Sequence, residues 1–138
     1  MPGLPFTSFT LNVDNKSVCG AHIDGQNLAF GLCLICPFGS FDHRRGGHLV
    51  LHDMKLILEI APGSQVFIPS ALLTHENIGI AESETRHAIT AYTPGAYFRY
   101  YEEGFRRVPK RTAKEYLKLG GWRWAKGKQL YPHVSRWL

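Results

Sequence analysis

A mainly β fold, antiparallel sheets stacked as a sandwich or barrel and followed by one short C-terminal helix, is what three observations predict. Strand-type alternation runs through the first two thirds of the chain, turn residues recur at close intervals, and no useful helical period precedes residue 109. At 138 residues the chain fits one compact core, which we divide at the change in composition into 1–105 and a basic tail, 106–138.

Each element has its own signal. Phe9, Leu11 and Val13 alternate with Thr10 and Asn12, the pattern of a half-buried strand. Leu28 to Phe38 is almost continuously apolar and reads as a central strand. After Gly46-Gly47, Leu49-Val50-Leu51 and Met54 to Ile60 read as strand with a bend near His52-Asp53. Pro62-Gly63-Ser64 supplies the positive-φ glycine of a type II turn, and with Gln65 to Pro69 beyond it a hairpin is expected. Arg86 to Thr93 and Tyr97 to Tyr101, parted by Pro94-Gly95, complete the strands. Thr112 caps a helix over Ala113 to Leu119, with Glu115 three positions on and Gly120-Gly121 as its stop. Trp122, Trp124 and Trp137 are candidates to dock the tail on the sheet.

Composition narrows the classes. Hydrophobic residues make up 44% and charged residues 20%, and no apolar run approaches the roughly 20 residues of a membrane span, so no membrane partner is expected. Met1 to Phe6 lacks the basic start of a secretory leader. Cys19, Cys33 and Cys36 form an odd set without framework spacing, which suits free thiols in an intracellular compartment, the nucleus included. The net charge of +5 is unevenly spread: residues 106 to 128 carry nine basic side chains against Glu115 alone, a local +8 that leaves the remainder at −3. Such a tail suits a polyanion held beside a site, or a plain solvated helix face.

The chemistry-bearing pattern is His22-x-Asp24, then His75 at 51 residues beyond the aspartate, then Arg86 after 11 more. On extended backbone His22 and Asp24 point the same way and can grip one ion. Two histidines and one carboxylate on one face of a metal leave the other face open, the ligand set of non-heme Fe(II) oxygenases, with room for a chelating 2-oxo acid and O₂. In a double-stranded β-helix (jelly-roll, cupin-like) all four side chains would meet at one end of the barrel. Arg86 offers the bidentate fork that the distal carboxylate of such an acid needs, with Thr90 on the same strand face as a hydroxyl partner. The plainer reading pairs Arg86 with Glu82 or Glu84 at the surface. His43, His48 and His52 are a rival set, but two histidines four apart on a strand stand about 13 Å apart, too far to share an ion. Cys33-x-x-Cys36 lacks a second pair for zinc and reads as core.

From Ala21 to Phe105 the motifs follow one another in an order that resembles the TET/JBP family of 2-oxoglutarate- and Fe(II)-dependent dioxygenases, in particular its fungal branch. They are His22-Ile-Asp24-Gly-Gln-Asn27, Gly46-Gly47-His48-Leu-Val-Leu, Pro62-Gly63-Ser64, Ile68-Pro69-Ser70-Ala71, His75, Glu84-Thr85-Arg86 and Gly104-Phe105. The resemblance implies oxidation of the methyl group of a modified base, of the 5-methylcytosine type, in nucleic acid, with DNA the expected partner and Fe(II), 2-oxoglutarate and O₂ required. It implies that His22, Asp24 and His75 bind iron, that Arg86 holds 2-oxoglutarate, and that Asn27 hydrogen-bonds the flipped base, where an amide can offer one donor and one acceptor. A turn residue after Gly25 is the alternative for Asn27. Where many members have Arg between the metal ligands this chain has Ile23, and only 21 residues precede His22 where members carry buttressing elements. A catalytically degenerate module that binds nucleic acid through its basic tail, and a small-molecule hydroxylase or cupin-like isomerase, are the competing functions. The sequence leaves the oligomeric state open.

Overall fold

The computed structural model describes residues 5–107 and 109–130. Seven strands form two sheets: β1 (Ser8–Asn12), β2 (Cys33–Ser40), β3 (Leu49–Leu51), β4 (Leu56–Leu58), β5 (Val66–Ile68), β6 (His75–Asn77) and β7 (Thr85–Tyr92). Two helices follow, α1 (Gly95–Glu102) and α2 (Ala113–Lys128). One sheet has the order β1-β7-β2-β5 and the other β4-β3-β6, with every strand pair antiparallel. This is a mainly β, jelly-roll or cupin-like architecture, as the alternation and turn spacing predicted. The chain separates into two compact units, Met1–Ala96 and Tyr97–Leu138.

Alternation decides which side chains enter the first unit. Along β2, Cys33, Ile35 and Pro37 are buried while the residues between them are half-buried, the period of two that a sheet imposes. Cys33, Ile35, Leu49, Leu51, Ile60 and Ile68 form the core, drawn from both sheets and flanked by Leu58, Val66, Leu73 and Tyr92. Each full burial of an aliphatic side chain of this size contributes about 1.5–3 kcal/mol. The outer face of the four-stranded sheet is also apolar, and there Phe9 and Phe67 remain 77% and 50% exposed.

Two strand expectations are overturned. The turn at Pro62-Gly63 forms, with Gly63 at φ 83° and the Ser64 amide donating to the Ala61 carbonyl, yet it does not close a hairpin. The strand before it, β4, pairs with β3, whereas β5 pairs with β2, so the turn carries the chain from the small sheet to the large one. Tyr97 to Tyr101 is helix, inside α1. Its aromatic content suggested a strand, but Gly104 at φ 67° ends a Schellman motif there. The Phe105 amide donates to the Tyr100 carbonyl and the Gly104 amide to that of Tyr101, and the Phe105 ring packs edge-on against Tyr100. That wrap rewards helical backbone over extended backbone.

The second helix starts as expected. Thr112 accepts from the Glu115 amide and the Glu115 carboxylate accepts from the Thr112 amide, a reciprocal capping box. It does not stop at Gly120-Gly121 but continues to Lys128. An interior glycine costs about 1 kcal/mol against alanine. Arg123, beyond the pair, is tied by its Nε to Glu102 at 2.5 Å, an ion pair worth at most about 1 kcal/mol that recovers part of that cost. Trp122 and Trp124 are both more than a third exposed, and Trp137 lies outside the described residues.

Candidate metal and 2-oxo acid site

The stretch after β1 builds the site by crossing from the large sheet to the small one. Ser17 donates its amide to the Arg86 carbonyl on β7, and further on His22 exchanges both backbone hydrogen bonds with His75 on β6, at 3.0 and 2.9 Å. The Asp24 amide then docks on the Ser70 carbonyl at 2.9 Å. Because His22 and His75 are a directly paired antiparallel couple, their side chains emerge on the same side, with ring centroids 4.4 Å apart. The ligand atoms of His22, Asp24 and His75 all lie within 4.8 Å of one another. Among the described residues no other group of three or more His, Cys, Asp or Glu gathers so, and His43, His48 and His52 do not.

The ring tautomers follow from their neighbours. Nδ1 of His22 lies 2.7 Å from the Gly20 carbonyl and Nδ1 of His75 lies 2.9 Å from the Leu73 carbonyl. A carbonyl only accepts, so each Nδ1 carries its proton and each Nε2 keeps a free lone pair, the arrangement by which outer partners orient metal-binding imidazoles. Nε2 of His22 stands 3.6 Å from Oδ1 of Asp24. The other carboxylate oxygen, Oδ2, accepts from Nδ2 of Asn27 at 3.2 Å. An oxygen-and-imidazole set with an open side suits a divalent transition metal such as iron.

Arg86 sits on the inward face of β7 and is only 3% exposed. One of its nitrogens, Nη1, donates to the Ser17 carbonyl at 2.9 Å, while Nε is buried without a partner. Burial pushes the guanidinium below its ordinary pKa, with the nearby Cys19 acting in the opposite sense. Among the described residues Arg86 forms no ion pair: Glu82 pairs with Lys16, and Glu84 accepts from the amides of Asp42 and Ala81. The surface pairing of Arg86 therefore does not form. A buried cation with an orphaned donor and no protein anion is a group whose desolvation a bound carboxylate would offset. Gly47, at φ 71°, leaves room for this side chain, since a Cβ there would stand 3.2 Å from Cδ of Arg86 and 2.9 Å from the Phe41 ring.

These residues share a cavity of about 530 Å³, lined by His22, Asp24, His75, Asn27, Arg86 and Thr90 among others. Thr90 lines it without a hydrogen bond to Arg86, because it stands four positions further along the strand, about 13 Å away. Asn27 occupies a turn, its amide donating to the Asp24 carbonyl at 2.8 Å, and its side chain also enters the cavity. Both hydrogens of its Nδ2 are engaged, by Asp24 and by Oγ of Ser70 at 3.2 Å, so toward ligands it presents only the Oδ1 acceptor. The acidic partner fixes which way the amide points.

Three residues without a prior role hold the site together. Asn77, buried on β6, accepts from the Cys19 amide and donates to the Ser17 carbonyl, both at 2.9 Å, pinning the crossing stretch. Ser17 in turn receives Arg86. Ser70 is 1% exposed and serves both Asp24 and Asn27. Their sequence signal is position alone: Ser70 belongs to the Ile68-Pro69-Ser70-Ala71 motif and Asn77 sits two residues after His75, but side-chain-to-backbone bonds across 60 residues leave no periodic trace. Cys33 lies against this network, and burial first, then the Asp24 charge, push its thiol up to about 11, against the pull of its hydrogen bond with Ser70.

No family model matches the chain, and no curated protein matches it either. Among solved structures the chain is similar to NgTET1 in complex with 5mC DNA, with a TM-score of 0.51 and 21% identity over 74% of this chain and 35% of that one. The chain thus spans about a third of that neighbour's length. At this identity the likeness is one of fold, a double-stranded β-helix.

Proposed function

We propose that this chain is a TET/JBP-like dioxygenase, of the fungal branch by its motifs, which uses Fe(II), 2-oxoglutarate and O₂ to oxidise the methyl group of a 5-methylcytosine-type base in DNA. One observation carries the reading: a His-Asp-His cluster and a buried arginine that forms no ion pair among the described residues line the same cavity. In this reading His22, Asp24 and His75 hold the metal and Arg86 holds the distal carboxylate of the co-substrate. When bound, the metal and the keto acid would activate O₂, the oxidant, with one oxygen atom going to the methyl group and the other to the keto acid as it loses CO₂ to become succinate.

The chain's own residues orient and select. Nδ1 protons on His22 and His75, held by carbonyls, keep each Nε2 aimed at the cluster. Charge complementarity between Arg86 and a dicarboxylate fixes the co-substrate's far end, with the Thr90 hydroxyl, which lines the same cavity, as a further partner for the co-substrate. A base inside a duplex cannot reach such a site and would be flipped into it. The Oδ1 acceptor of Asn27 complements an exocyclic amine, as on cytosine, and repels the O4 acceptor of thymine. The +8 segment from 106 to 128 supplies phosphate contacts, and an intracellular, nuclear setting follows from a DNA substrate.

The test is mass spectrometry of nucleosides after incubation of the protein with Fe(II), 2-oxoglutarate and methylated DNA. A product sixteen mass units heavier than 5-methylcytidine's deoxy form, dependent on both additions, is expected (about one oxygen atom gained per turnover). The basic segment supports a second reading, a β-helix module that binds nucleic acid without turnover. It predicts salt-sensitive retention of DNA with no oxidised nucleoside and no succinate.

A further inference from the structure

We infer that Asn27 and Ser70 are positioning residues that make Asp24 a one-oxygen ligand, and so set how many coordination places stay open. This rests on the metal-site reading above. A carboxylate can close on a metal with one oxygen or two, and free rotation about its last bond allows either. Here one of the two oxygens is already engaged. Oδ2 of Asp24 accepts from Nδ2 of Asn27, the second hydrogen of that amide goes to Oγ of Ser70, and Ser70 is anchored in the core beside the Cys33 thiol. Oδ1 is left facing Nε2 of His22. The backbone reinforces the arrangement, since the Asp24 amide donates to the Ser70 carbonyl and the Asn27 amide to the Asp24 carbonyl. A metal held by His22, Asp24 and His75 would then meet one oxygen of Asp24, and a two-oxygen aspartate would take up one more of its coordination places.

The relay is distinct from any contact that Asn27 makes with a base, because it uses the amide nitrogen and not Oδ1. Its effect is therefore present without nucleic acid. The experiment is titration of the full chain with Co(II) alone, followed by the visible d–d spectrum and by affinity, for the wild type, Asn27→Ala, Ser70→Ala, the double variant and His75→Ala. The relay predicts a roughly 10–100-fold weaker Co(II) site in Asn27→Ala together with a changed band shape, as loss of an outer partner does at metal sites. Ser70→Ala should weaken binding in the wild-type background and have little further effect when Asn27 is already Ala. Unchanged affinity and spectrum in both single variants, with wild-type binding intact and His75→Ala null, overturns the inference and leaves the metal site standing. Equal binding by the wild type and His75→Ala overturns the metal site itself. Far-ultraviolet circular dichroism of the apo forms keeps misfolding separate, and if Asn27→Ala unfolds, the mild Ser70→Ala decides by the same spectral criterion.

Discussion

Replacing Arg86 by methionine separates a ligand anchor from a structural ion pair. Methionine keeps the length and apolar stem while removing the charge. What is lost is the charged hydrogen bond to the Ser17 carbonyl, worth about 1.5–3 kcal/mol. The guanidinium also stands 6.0 Å from the centre of the Phe41 ring, a contact worth about 0.5–1 kcal/mol. What is relieved is a cation that is 3% exposed with an orphaned Nε and, among the described residues, no anionic partner, and apolar replacement of buried charge is neutral to stabilising by about 1–4 kcal/mol. The two nearly cancel, so the ligand-free protein should stay within about 2 kcal/mol of wild type, whereas breaking a buried ion pair costs about 3–5 kcal/mol. Ligand response is where the variant should differ. With Mn(II) present, 2-oxoglutarate at 100 times its Kd stabilises the wild type by about 2.7 kcal/mol. For a unit of the size of Met1–Ala96 that is a rise in Tm of about 10–20 °C. Thermal melts with and without 2-oxoglutarate should show this rise in the wild type and none in Arg86→Met. A loss above 3 kcal/mol in the ligand-free variant, or a retained ligand shift, refutes the anchor reasoning.

Gly39→Ala should destabilise by about 1–3 kcal/mol or more in denaturant melts, because Gly39 has φ 124° and a Cβ would stand 2.4 Å from the Thr85 carbonyl oxygen; an unchanged midpoint would contradict the close β2–β7 approach beside Arg86. The Glu115 carboxyl is held below its usual 4.5 by hydrogen bonds to Thr112, so its contribution to α2 is complete above pH 4.5 and lost as pH falls through the lowered value. Helical signal at 222 nm should fall between pH 5 and pH 2 more in the wild type than in Glu115→Gln, and parallel curves would remove the capping box from the account (a span of about three pH units around the carboxylate range). DNA retention should weaken steeply between 50 and 200 mM salt, by about 10³-fold or more if six or so phosphates are neutralised, and truncation after Phe105 should flatten that slope.

The legible part of the fold was the part governed by period and local chemistry. β2, β3 and β7 alternate or run apolar, Pro62-Gly63 demands a positive φ, and Thr112 with Glu115 spells a capping box, so each could be read from neighbours in sequence. α1 is hidden in the sequence because Tyr97, Phe98, Tyr100 and Tyr101 carry strand propensity, while Gly104, the residue that ends the helix, lies beyond them and caps only once the backbone is helical. The turn at Pro62 closes no hairpin for a different reason: a turn fixes local direction, but whether β5 joins β4 or β2 depends on pairing across 31 to 35 residues. At the candidate site, residue types announced the cluster of His22, Asp24 and His75, and their convergence needed the His22–His75 pairing that only the fold supplies. The supports were invisible for the same reason. Nothing in the sequence says that Ser70 reaches Asn27 or that Asn77 clamps Ser17.

The most direct measurement is an anaerobic titration of Fe(II) followed by 2-oxoglutarate, watched in the visible. If the cluster binds iron and Arg86 seats the keto acid beside it, a weak charge-transfer band of the chelate grows to saturation in the wild type, disappears in His75→Ala and needs far more 2-oxoglutarate in Arg86→Met. A wild type that stays colourless, or a band of equal strength in His75→Ala, contradicts the account at its centre.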